Sequence, residues 1–205
     1  MPQAISLSAH AISCQRGGRF LFEGLSFSLA PGESLLVTGP NGAGKTSLLR
    51  MIAGLLPLHA GSLDGGDASV PLPELCHYVG HANGIKAALS LSENVEFWAD
   101  FLGGGSSDLD GAFRTFGLAS LEALPAGLLS AGQKRKLSLL RLFAAERPIW
   151  LLDEPSVSLD APSVTALGQA IAEHLAQGGI AVVASHTPLE LRFSQELALK
   201  REHVS

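Results

Sequence analysis

Residues 39–46 read Gly39, Pro40, Asn41, Gly42, Ala43, Gly44, Lys45, Thr46, which is the spacing G-x-x-x-x-G-K-[ST]. Glycines in that pattern let successive backbone N–H groups wrap phosphate oxygens, and a helix that follows presents its positive end to the same charge. Lys45 is then placed to reach the β- and γ-phosphates of a nucleotide, and Thr46 to ligate Mg²⁺. The pattern also arises by chance in glycine-rich loops. Here it lies between an apolar run at 34–38 and a helix-spaced segment at 45–56, the context the chemistry requires. Further along, Ile149-Trp150-Leu151-Leu152-Asp153-Glu154 is an apolar strand pattern ending in two carboxylates. Asp153 would lie near the metal at the carboxyl end of a sheet, and Glu154 where it can polarise a water. A buried strand merely capped by acids reads the same way, and the phosphate loop alone allows a kinase, a GTPase or a motor.

Leu129-Ser130-Ala131-Gly132-Gln133 separates these possibilities. Ser130 and Gln133 have the spacing of a capping box, which would also open an ordinary helix. In this order, between the phosphate loop and the carboxylate strand, the pentapeptide resembles the LSGGQ signature of ABC ATPases, and the resemblance covers nearly the whole chain. It implies that Ser130, Ala131, Gly132 and Gln133 meet the γ-phosphate of ATP held by a second copy, so that two chains close head to tail on ATP as a homodimer. It also implies a D-loop at Ser158-Leu159-Asp160 and a switch histidine at His186, after the apolar run 180–185. The implied fold is the P-loop NTPase α/β fold of ABC ATPases: a mainly parallel core sheet, an N-terminal antiparallel β part and a small helical insert. One domain over residues 1–205 is expected, with the helical subdomain at about 82–146.

Two positions depart from the family pattern. Where it places a Q-loop glutamine, this chain reads Tyr78-Val79-Gly80-His81. His81 can replace the amide as a hydrogen-bonding group, and brings a pH-sensitive charge with it. Arg16, in CQRGGR, stands where an aromatic normally stacks on adenine, and a guanidinium can also stack on a base. Within the family, GHANGIK, LSENVEFW and LSAGQKRK together resemble the ATP-binding subunits of cytochrome c biogenesis haem exporters. That resemblance implies ATP and Mg²⁺ as cofactors, catalytic roles for Glu154, His186 and His81, and a metal role for Thr46 and Asp153. It also implies a membrane-embedded permease partner and a peripheral place on the cytoplasmic face of a bacterial inner membrane. Direct contact with haem is not expected.

The elements that must position these residues are partly legible. Residues 5–9, 25–29 and 34–38 form short apolar or alternating runs punctuated by Gly17-Gly18 and Pro31-Gly32. A helix over 45–56 stops at Pro57, and GSLDGG and CHYVG suggest further strands. From Ser90 to about Gly117 the spacing is helical, opened by a Ser90/Glu93 capping box and divided at Gly103-Gly104-Gly105. A helix runs from Ser130 to about Glu146, with Lys134-Arg135-Lys136 expected on its solvated face. Another spans Asp160 to Gln177, ending at Gly178-Gly179. Alternating strands and helices give a mainly parallel sheet. In the insert, at about 82–128, the stretches 84–91 and 95–102 offer exposed apolar candidates for a permease docking face, with a core-facing role for Phe97, Trp98 and Phe101 the alternative.

Bulk properties exclude other classes. The net charge of −5, from 14 basic and 19 acidic residues, offers no basic face, so nucleic acid is not an expected partner. The longest apolar stretch, 137–152, is broken by Arg141, Glu146 and Arg147, short of the roughly 18 uncharged residues a membrane helix needs. The first ten residues show no secretion signal. Cys14 and Cys76 are too few and too far apart for a metal or disulfide framework, which leaves buried or incidental thiols.

Overall fold

The computed structural model describes residues 5–66, 69–104, 109–187 and 189–200. Its centre is a five-stranded sheet in the order β5-β6-β7-β3-β8, with every neighbouring pair parallel. The strands are β3 (Ser34–Thr38), β5 (Cys76–Val79), β6 (Ile149–Asp153), β7 (Ile180–Ala184) and β8 (Gln195–Ala198). β6 and β7 are buried at every position, as strands covered on both faces must be, and their sequences are correspondingly apolar. Alternation divides them between two cores. Ile149, Leu151, Ile180 and Val182 face the side of α1 (Lys45–Ile52), where Leu48, Leu49 and Ile52 are fully buried. Trp150, Leu152, Ala181 and Val183 face α5 (Ala161–Ala176) and the helices between β5 and β6.

The N-terminal part is a three-stranded antiparallel sheet, β2-β1-β4, formed by β1 (Leu7–Arg16), β2 (Arg19–Leu29) and β4 (Ala60–Asp64). β1 and β2 are longer than their apolar runs suggest, because register shifts along β1 break the alternation that marks a strand. Helix α1 is shorter than the expected 45–56. Gly54, at φ +70, donates to the Met51 carbonyl and Leu55 to Arg50, a left-handed helix end, so Gly54 stops the helix before Pro57 does. β8 is absent from the sequence reading: four residues of alternating exposure at a sheet edge carry little pattern.

Between β5 and β6 lie α2 (Leu91–Leu102), α3 (Leu109–Thr115) and α4 (Ala131–Leu140), with a 3-10 turn continuing α4 over Arg141–Phe143. α4 therefore gives way to that turn before Glu146. Both capping boxes form: Ser90 with Glu93, and Ser130 with Gln133. Gly103, at φ +69, ends α2; Gly105, also singled out as a divider, lies outside the described residues. Buried Asn94 accepts from the Lys86 N–H and donates to the carbonyls of Lys86, Leu89 and Ser90, fixing the loop that enters α2. Cys14 and Cys76 are buried free thiols. Among the described residues no helix is long and apolar enough to cross a membrane.

Candidate functional site

In a parallel sheet the carboxyl ends of all strands open on one edge, so segments far apart in sequence converge there. β3 runs into the glycine loop, β5 into Gly80-His81, β6 into Asp153-Glu154 and β7 into Ser185-His186.

The glycine loop has a backbone that side chains would not permit. Gly39, Gly42 and Gly44 have φ of +131, +82 and +105°. A Cβ on Gly39 would lie 2.3 Å from the Leu199 carbonyl oxygen, and one on Gly44 would lie 3.1 Å from the Phe22 ring. α1 starts at Gly44 without a side-chain cap, so its first N–H groups stay available to an anion. The buried Lys45 donates from Nζ to the Gly39 carbonyl at 2.7 Å, folding its amine back over the loop. Thr46 Oγ1 donates to Asp153, 2.9 Å from Oδ2 and 3.1 Å from Oδ1.

Asp153 is 1 % exposed. Burial pushes its carboxyl above the usual range and Glu154 adds to the rise, while the Thr46 hydrogen bond, His81 and Arg50 oppose it. Glu154 has φ +48°, a left-handed backbone uncommon for a residue with a side chain. Its N–H donates to Ala184 O at 2.8 Å, and its carboxylate accepts from His186 Nδ1 at 2.8 Å. Acceptors, cation and helix end thus face one edge. That combination can bind a polyphosphate and a hard cation and can polarise a water beside them.

Ser130 opens α4, accepting from Gln133 N at 3.2 Å, while Gln133 Oε1 accepts from Ser130 N at 2.9 Å. Ser130 and Ala131 are exposed. Gly132 lies so close to Ser158 that a Cβ would sit 2.8 Å from its carbonyl oxygen, which joins the signature turn to the loop after β6. His81 is exposed beyond β5, and Arg16 ends β1 with its side chain in solvent, paired in register with Arg19.

The ABC transporter family profile matches residues 22–157, which include the glycine loop, the signature turn and the carboxylate strand. This chain belongs to the ABC transporter ATPase family. It is 51 % identical over 185 residues to the cytochrome c biogenesis ATP-binding export protein CcmA of Rhodopseudomonas palustris strain BisB5, covering 89 % of this chain and 92 % of that one. The protein of the same name from Bradyrhizobium diazoefficiens is 50 % identical over 197 residues, covering 95 % and 98 %. Among solved structures, a Pyrococcus furiosus chain described as an ABC-transporter ATP-binding protein superposes with TM-score 0.82 at 22 % identity, covering 95 % of this chain and 97 % of that one. A bacterial Atm1-family ABC exporter solved with ATP bound superposes with TM-score 0.79 at 17 % identity, covering 99 % of this chain and 39 % of that one. At those identities the structural likeness speaks to the fold, which is that of an ABC ATPase.

For an ABC ATPase the basic run in α4 needs correction. Lys136 pairs with Asp160 at 3.0 Å, but Arg135 is buried, not solvated, and bonds to oxygens at the ends of β5 and β6. Arg135 shares a helical face with the fully buried Leu139 but also with the exposed Ala131, so its spacing alone does not place it inside. The insert also divides. Leu91 and Val95 are core, Phe97 and Trp98 are half-buried, and Phe101 is 70 % exposed.

Proposed function

We propose that this chain is the ATP-hydrolysing subunit of an ABC transporter that energises haem export, or release of a haem-loaded chaperone, in c-type cytochrome biogenesis. The hydrolytic reading is carried by one observation: Thr46 is bonded to the Asp153 carboxylate, with Glu154, bonded to His186, the next residue along the chain. The cytochrome reading is supported by relatives of that name, which match nearly the whole chain at about half identity.

In this reading residues 39–44 hold the phosphates through backbone N–H groups, and Lys45 exchanges the Gly39 carbonyl for the β- and γ-phosphates. The Thr46 hydroxyl and the Asp153 carboxylate are hard oxygen donors that suit Mg²⁺. When bound, that ion neutralises charge on the β- and γ-phosphate oxygens. Glu154 orients the attacking water and takes its proton, and His186 holds the carboxylate and reaches the γ-phosphate. His81 supplies the hydrogen bond of the missing glutamine. The start of α4, Ser130 to Gln133, exposed at Ser130 and Ala131, caps the γ-phosphate of ATP on a second copy, which makes the working unit a head-to-tail homodimer.

The subunit works peripherally on the cytoplasmic face of the inner membrane against a permease, and touches neither haem nor nucleic acid. Phe101, stacked on Phe97 at 6.1 Å and edge-on to Trp98 at 5.8 Å, offers the permease an apolar foothold on α2. The test is to delete the chain in its host and restore it as wild type or as Glu154→Gln. Loss of mature c-type cytochromes rescued only by the wild type supports the proposal. Normal cytochromes in the deletion strain discard the haem reading and leave the ATPase standing.

A further inference from the structure

Arg135 is a buried cation whose partners are mostly backbone oxygens. Its side chain extends from the second turn of α4 and is 4 % exposed. Nε donates to Pro155 O at 3.1 Å, and Nη2 to Asp153 O at 2.9 Å and Glu154 O at 2.8 Å. Nη1 turns the other way, to Gly80 O at 2.8 Å and Asn83 Oδ1 at 3.3 Å. One planar group therefore spans the end of β6, which carries the catalytic carboxylate, and the end of β5, which carries His81. Burying a guanidinium is costly unless its N–H donors are met, and here carbonyl dipoles from two separate segments meet them.

The segment at the end of β5 is held a second time. From the turn that continues α4, Arg141 donates to Tyr78 O at 3.3 Å and to Asn83 O, and its guanidinium carbon lies 4.3 Å from the centre of the Trp98 ring. Glu154 sits between the Arg135 fork and Ala184 with its left-handed φ of +48°, a conformation that persists only where the surroundings over-determine it. The fork on its carbonyl is one such determinant.

We propose that Arg135 is a positioning residue for ATP hydrolysis: by gripping the carbonyls of Asp153, Glu154 and Gly80 together, it keeps the water-polarising carboxylate and the His81 loop in register with the signature helix. The proposal rests on the hydrolytic reading of Glu154 given above. Lysine could replace the charge but not the planar fork, since one ammonium cannot bridge both segments at these distances. A tilt of α4, imposed at Ser130 by nucleotide on the second copy or at Trp98 through Arg141, then moves Glu154 with it.

The test compares the full-length wild type with Arg135→Lys, Glu154→Gln and the double variant. It measures ATP turnover with Mg²⁺ under steady-state and single-turnover conditions, binding of a fluorescent ATP analogue, and thermal unfolding. Arg135→Lys is expected to lower kcat roughly ten- to a hundredfold, the range for misplacing a catalytic group by an ångström, with KM and analogue affinity within about twofold. In the Glu154→Gln background the same change should cost nothing further, because the group it positions is gone. Full kcat in Arg135→Lys, or an equal proportional loss with Glu154 already removed, overturns the proposal. If Arg135→Lys does not fold, Asn83→Ala decides. Removing one acceptor of the fork should lower kcat about threefold at unchanged affinity, and unchanged kcat overturns the proposal. A Glu154→Gln protein that turns over at the wild-type rate is a separate outcome; it removes the hydrolytic reading and this proposal with it.

Discussion

His186 holds the Glu154 carboxylate twice, through Nδ1 to Oε1 at 2.8 Å and through its backbone N–H to Oε2 at 3.3 Å. The two residues are 32 positions apart and meet because β6 and β7 are neighbouring parallel strands that end together, Asp153 opposite Ala184. A carboxylate held on both oxygens is aimed. It is also a better base than an amide, which cannot take up the water's proton. Glu154→Gln should therefore keep ATP affinity while turnover falls by roughly 10²- to 10⁴-fold, the usual contribution of a general base. ATP should then hold the chain as a dimer on size exclusion. Wild-type turnover in this variant removes Glu154 from its role.

Lys45 Nζ donates to Gly39 O at 2.7 Å, so the amine already lies over the glycine loop. Lys45→Ala should weaken binding of a fluorescent ATP analogue roughly tenfold or more, about one charge-assisted hydrogen bond to phosphate. Titration measures this directly. Unchanged affinity with full activity would count against the loop as the phosphate site.

The candidate site was legible in the sequence because its components are local: a glycine spacing, a capped helix start, an apolar strand ending in acids. These signals need no knowledge of what lies across the fold. What stayed hidden is non-local. Arg135 looked like one of three consecutive surface cations, and only the meeting of β5 and β6 beneath α4 supplies the carbonyls that let it be buried. β8 was invisible for a related reason, as its strand character comes from hydrogen bonds to β3 and not from its own side chains. The left-handed Gly54 that shortens α1 was a local signal, and Pro57 masked it.

Gly132 and Ser158 set the spacing between the signature turn and the loop after β6. A methyl group at Gly132 would lie 2.8 Å from Ser158 O, closer than real Cβ atoms come to backbone, so one segment must move. Gly132→Ala should reduce ATP turnover at least about fivefold by displacing the start of α4, while nucleotide binding at the chain's own glycine loop changes little. Loss of both together would place Gly132 in folding instead.

Phe101 is 70 % exposed at the end of α2 and ends a row with Phe97 and Trp98. Phe101→Glu replaces apolar surface with charge at a position that supports no core. ATP turnover by the isolated subunit should be unchanged, and recovery of the membrane partner in a pull-down should fall by about tenfold, a loss of roughly 1.4 kcal/mol in binding. Undiminished recovery would place the permease contact elsewhere.

His77, on β5, gives folding stability a dependence on pH. Its Nε2 donates to Ala145 O at 2.7 Å, and its side chain is almost wholly buried. Burial, chiefly, pushes its pKa down from 6.5 to about 4; nearby Arg147, Arg141 and His174 add to the fall, and the Ala145 carbonyl opposes it. Above pH 6.5 the ring is neutral in both folded and unfolded chains, and the stability it contributes is fully present. As pH falls from 6.5 towards 4, the unfolded chain takes up a proton that the fold refuses, and stability is lost, by roughly 3 kcal/mol over that window. His174, also lowered by burial, acts in the same direction. His77→Gln can keep a donor to Ala145 O without a titrating ring. Urea midpoints at pH 7.5 and 5 should therefore differ less in the variant than in the wild type, and an identical difference in both would show that His77 carries none of the acid sensitivity.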